Sequence, residues 1–126
     1  MMPKKVETIK IAKFVAIGQG PEMVEWEAIK TAIPGLYLNR VFGQKLDGTW
    51  QVQKGWWDIT HKLSGLKINH TPFTSEKEGH RFIQILKTKG LDWDIPYSEI
   101  IKDGYKPYGT TVRDVYEELI DEKGKV

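Results

Sequence analysis

The chain has 126 residues, 40% of them hydrophobic and 29% charged, with no cysteine and a formal net charge of +2. That length suits one domain with its own core, and the composition excludes a disordered chain. The lack of cysteine excludes disulfide and thiolate chemistry and favours a reducing compartment.

No stretch approaches the roughly 18 apolar residues needed to span a bilayer. Met1-Met2-Pro3-Lys4-Lys5 runs into alternating rather than continuous apolar positions, so no signal-peptide apolar region is expected. The expectation is a single domain over residues 1–126, in the cytoplasm, with no membrane association. Charge is uneven: residues 35–90 hold nine basic and four acidic side chains, whereas residues 91–126 hold five basic and nine acidic. Such asymmetry marks a part suited to a polyanion beside an acidic part, although ordinary solvated surfaces produce it too.

In chain order, Ile9, Ile11, Val15 and Ile17 share one parity, as in a half-buried strand that Lys13 interrupts. Gly18-Gln19-Gly20-Pro21 reads as a turn. Residues 22–33 fit either a strand or a helix, and the flanking glycine and proline favour a strand. Residues 36–46 and 49–63 flank Asp47-Gly48, a two-residue hairpin signal. Ser64-Gly65 repeats that signal before a return strand over residues 66–69. Ser75 and Glu78 form a capping box that opens a helix over residues 75–89, with Phe82, Ile83 and Leu86 on one face and Gly90 as the stop. Leu91, Trp93 and Ile95 alternate up to Pro96. Thr111 with Asp114 then resembles a second capping box, and Val112, Val115, Tyr116, Leu119 and Ile120 recur at helical spacing. The fold class expected is α+β: an antiparallel sheet of about four to five strands, a helix packed on one face, and a C-terminal amphipathic helix.

Two-residue turns would pair Leu38 with Trp57, Lys45 with Trp50, and Lys62 with Lys67. One face then carries Leu36, Leu38, Phe42, Trp57, Ile59, Leu63, Leu66 and Ile68, a core for the helix. The other combines Tyr37, Trp50 and Trp56 with Lys45, Lys54, Lys62 and Lys67, beside Asn39, Asp58, Thr60 and Asn69. Directly opposed Lys62 and Lys67 would repel unless an anion lay between them. Aromatic rings among lysines are what a single strand of nucleic acid requires, with bases stacking on rings and ammonium groups following phosphates. The same pattern fits a second layer of core if the N-terminal strand, residues 22–33 or the C-terminal helix covers this face. Gly55, inside a strand, signals a bulge that would exchange the faces beyond it.

Catalytic signals are weak. His61, His70 and His80 lack metal-ligand spacing and have no cysteine to join them, so no metal and no cofactor are expected. Asp58 and His61, three apart on a strand, point to opposite faces. Ser64 sits in a hairpin turn rather than a strained strand-to-helix elbow. Gly18-Gln19-Gly20 lacks the rest of a phosphate loop, and Asp92-Trp93-Asp94 reads as a solvated loop with an anchored indole. The chain is not expected to be an enzyme.

Residues 54–86, through Gly55-Trp56-Trp57, Ser64-Gly65 and Phe73-Thr74-Ser75-Glu76, resemble the strand–strand–helix order of plant ethylene-response DNA-binding domains. Whirly and coactivator-type single-strand binders are similar in element order. The resemblance implies nucleic-acid binding and assigns no residue. The expected function is a small accessory protein that binds single-stranded DNA or RNA without sequence preference, through Tyr37, Lys45, Trp50, Lys54, Trp56, Lys62 and Lys67. The runner-up partner is another protein, or a second copy of this chain, held by exposed Trp and Tyr hot spots.

Overall fold

The computed structural model describes residues 6–14 and 21–124. Five antiparallel strands run in sheet order β1 (Val6–Phe14), β2 (Pro21–Lys30), β3 (Leu36–Gln44), β4 (Trp50–His61) and β5 (Leu66–Lys67). Helices α1 (Glu76–Lys87), the single turn α2 (Tyr97–Ile100) and α3 (Tyr108–Gly124) follow. The fold is therefore α+β with a C-terminal helix, and residues 22–30 lie within a strand. The Gly18-Gln19-Gly20 segment, with Val15 and Ile17, lies outside the described residues.

The sheet is curled. β1 and β2 pair along their whole length, but β2 meets β3 only at Ile29↔Leu38 and Lys30↔Tyr37. At the far edge the Ala12 N–H donates to the Gly65 carbonyl at 2.8 Å, which brings β1 onto the turn between β4 and β5. Gly65 permits that approach because it has a positive φ and no side chain: a Cβ there would stand 2.8 Å from the Lys10 carbonyl oxygen.

Curling divides the apolar residues between two cores. The convex face presents Leu36, Leu38, Trp57 and Ile59 to α1 and α3, which contribute Phe82, Ile83, Leu86, Val112, Val115 and Leu119. Ser75 caps α1 as its spacing predicts, its side chain accepting from the Glu78 N–H at 3.1 Å. Gly79 then lets α1 lie directly on Leu38. Trp93 is fully buried in the same core, beneath Gly35. The concave face gathers Ile9, Ile11, Ala28, Tyr37 and Phe42, with Trp26 and Trp50 packed at its margin.

Several registers differ from those expected. The β3–β4 connection is a three-residue loop closed by Lys45 N–H to Thr49 O, with Gly48 at φ 90°, so Trp50 pairs with Gln44 rather than Lys45. Further along, Arg40 pairs with Trp57 and Phe42 with Val52, which sets residues 53–56 against Val41 alone. This wide bulge, with Gly55 at φ 84°, twists β3 so that Phe42 leaves the Leu36–Leu38 side and joins the concave core. Leu38 consequently pairs with Ile59, not Trp57. The Ser64-Gly65 turn is four residues long, closed by Gly65 N–H to His61 O; Lys67 therefore pairs with Thr60, and Lys62 belongs to the turn. The expected Lys62–Lys67 opposition does not occur. Likewise α3 begins before Thr111, whose N–H bonds the Pro107 carbonyl, so Thr111 is not its cap.

Candidate nucleic-acid interface

The seven residues singled out by aromatic and basic patterning fall into two groups rather than one continuous face. The β3–β4 arm carries Lys45, Trp50, Lys54 and Trp56. Lys62 and Lys67 lie at the opposite end of β4 and on β5, at most roughly 40 Å away along an unbent strand. Tyr37 lies beneath Lys62 in the concave interior.

On the arm, the tip is held firmly. Asp47 accepts from both the N–H and the hydroxyl of Thr49 at 2.9 and 2.6 Å, and these bonds hold its carboxyl below the usual range. Gln44 donates to the Gly48 carbonyl at 3.0 Å. Lys45 and Leu46 are displayed on this tip, Leu46 at 85% exposure. Trp50 is half-buried, edge-on to Phe42 with ring centroids 5.6 Å apart. Trp56 leaves the pairing ladder in the bulge and stands 44% exposed, with Lys54 exposed two residues before it. Arg40, not foreseen from the sequence, lies over the neighbouring Trp57 ring at 4.8 Å and adds a third cation to the arm.

At the other end, β1 covers the sheet face that patterning had assigned to an open surface. Tyr37 is only 4% exposed. Its hydroxyl donates to the Glu7 carboxylate, and burial together with that carboxylate pushes its pKa up to about 12. The Lys62 ammonium lies 5.5 Å from the Tyr37 ring centroid. Tyr37 thus supports Lys62 and offers no face to a base. Asn39, Asp58, Thr60 and Asn69 are buried as well. They satisfy one another: the Thr60 hydroxyl donates to Asn39 Oδ1 at 2.7 Å, and Asn69 Nδ2 donates to Asp58 Oδ1 at 2.8 Å. Lys13 enters this interior over the Phe42 ring at 4.4 Å. Burial lowers its pKa, Asp58 opposes that shift and Lys67 reinforces it. The sequence signal for Lys13 was its interruption of an apolar parity.

The histidines are dispersed. His61 is buried, with Nδ1 2.7 Å from the Ser64 hydroxyl and Nε2 2.9 Å from the Ile95 carbonyl, so it ties β4 to the segment before α2. His80 faces Glu76 at 3.4 Å across one turn of α1, and His70 is exposed. Among the described residues no group of three or more His, Asp or Glu side chains is placed to hold a metal ion, and no helix is long and apolar enough to cross a membrane. No family model, curated protein or solved structure matches the chain.

Proposed function

We propose that this chain is a small accessory protein that binds single-stranded DNA or RNA without sequence preference, and that the β3–β4 arm is its primary contact. The observation that carries this reading is the Trp56 indole, exposed on a bulge outside the ladder and accompanied by Lys54 and Lys45. Neither hydrophobic core uses this ring, and an indole is a stacking platform worth roughly 1–3 kcal/mol per base. Lys45 and Lys54 neutralise phosphates on either side, while Trp50 props the arm against Phe42. Lys62 and Lys67 form a second basic station that a longer strand reaches. The protein acts by binding alone, as a cytoplasmic, non-enzymatic factor.

The test is oligonucleotide quenching of tryptophan fluorescence, followed as a function of salt. Trp56→Ala should weaken binding by roughly 1–3 kcal/mol with little change in salt slope. Lys45→Gln with Lys54→Gln should flatten the slope by about two counterions, one per lost phosphate contact. A wild-type protein that fails to quench at low salt would remove this reading. A protein partner is favoured instead by Leu46, which offers a second exposed apolar side chain on the arm, at its tip; binding through such a surface would be insensitive to salt.

A further inference from the structure

β2 and β3 are neighbours inside the sheet, yet they pair at only two positions. Beyond Ile29↔Leu38 they diverge. Residues 22–28 then pair only with β1, and residues 39–44 only with β4. Each strand therefore turns one edge of backbone N–H and C=O groups toward the other without engaging it. Edges of this kind are templates for a further strand, and proteins normally keep them short or covered. The gap between them is an open cleft of about 510 Å³, within the roughly 300–1,000 Å³ of ligand-sized clefts. On the concave side, Trp26 of β2 stacks on Phe42 of β3 at 4.1 Å and closes the floor. On the other side the cleft is lined by Ile29, Leu38 and Trp57, with Glu25 and Glu27 of β2, Arg40 of β3 and Glu76 of α1, which also faces His80, around them.

We propose that this split receives an extended cationic peptide, which adds a strand between β2 and β3. Its backbone bonds to the two facing edges supply affinity, and alternate side chains supply selection. Glu25 and Glu27 lie two residues apart on one exposed face of β2. They match lysine or arginine at every second position of the guest, whose intervening apolar side chains turn to the opposite, concave side and meet the Trp26–Phe42 stack. Lys10 stands opposite Glu25 in the β1–β2 register, so Glu27 carries the larger share of the selection. The carboxylate excess makes this surface the opposite of the basic arm. A peptide would therefore be selected by Glu25 and Glu27 and a nucleic acid by Lys45, Lys54 and Trp56, with Arg40 at the border between the two surfaces.

The test uses a capped octapeptide alternating lysine and valine, titrated by calorimetry, with amide hydrogen exchange as the positional readout. Binding should slow exchange in both residues 22–28 and residues 39–44. Methylation of alternate peptide nitrogens should weaken binding by about 10-fold or more, because edge hydrogen bonds are lost. Glu25→Gln with Glu27→Gln should weaken it by about 5- to 10-fold, as expected for partly exposed charge pairs. That variant should leave oligonucleotide quenching unchanged, which separates this proposal from the reading of the arm. The proposal is overturned if the methylated peptide binds equally well, if tetralysine matches the alternating peptide, if protection falls elsewhere, or if the octapeptide does not bind.

Discussion

At the residue scale, Tyr37 shows how burial converts a candidate contact into a structural group. Its folded pKa of about 12 lies above the ordinary 10, so the folded state keeps a proton that the unfolded chain releases. The resulting contribution to stability is fully present below pH 10 and is lost as pH rises through about 12. Tyr37→Phe should lose about 1 kcal/mol at neutral pH with the hydrogen bond to Glu7. It should also show a shallower decline of melting temperature between pH 10 and 12 than the wild type. A residual decline is expected because Tyr105, Tyr108 and Tyr116 are also shifted upward by burial. Identical alkaline slopes for the two proteins would show that Tyr37 ionises as freely folded as unfolded.

At the element scale, α3 is held by one apolar stripe and two exposed ion pairs. Val112, Val115 and Leu119 are buried, and Tyr116 packs between Phe73 and Phe82 with its hydroxyl on the Thr71 carbonyl. Arg81 with Glu122, and Lys89 with Glu118, link α1 to α3 at the surface, where such pairs contribute little. Leu119→Ala should therefore cost about 2–5 kcal/mol in denaturant unfolding. Ile120, placed on the same stripe by helical spacing, is 63% exposed. Ile120→Ala should stay within about 0.5 kcal/mol of the wild type, and comparable losses at the two positions would mean that the stripe buries a wider arc.

At the scale of the whole molecule, closure of the curl depends on Gly65. With φ 74° and the Lys10 carbonyl 2.8 Å from the site of a Cβ, Gly65→Ala must displace β1 or strain the turn. A cost of about 1–3 kcal/mol is expected, with faster hydrogen exchange at the Ala12 amide. Gly48 has a similar φ of 90° but nothing within 4 Å of a Cβ. Gly48→Ala should accordingly cost less and leave the Ala12 amide protected. If both variants exposed that amide equally, closure would not reside in the Gly65 contact.

Local pattern determined the elements. Period-two alternation found β1, β3 and β4, Ser75 and Gly90 bounded α1, and the 3.6-residue spacing around Val115 found α3, because each signal lies within a few neighbouring residues. It also singled out Trp56 and the four lysines, but Lys54 and Trp56 owe their exposure to the bulge and Lys62 to the turn, not to the shared open face that alternation suggested. Register and enclosure were decided only by the tertiary structure. Asp47-Gly48 and Ser64-Gly65 each fit turns of more than one length, and the chosen lengths moved Trp50 and Lys67 to new partners. The bulge at Gly55 exchanged the face of Phe42. No local signal reports that β1 folds back across β3, because its partners lie a long way off in sequence. That single long-range event sets Glu7 on Tyr37 and Lys13 over Phe42 and gives the sheet its second core. The same divergence of β2 from β3 leaves two strand edges facing an open cleft, a feature that belongs to neither strand alone.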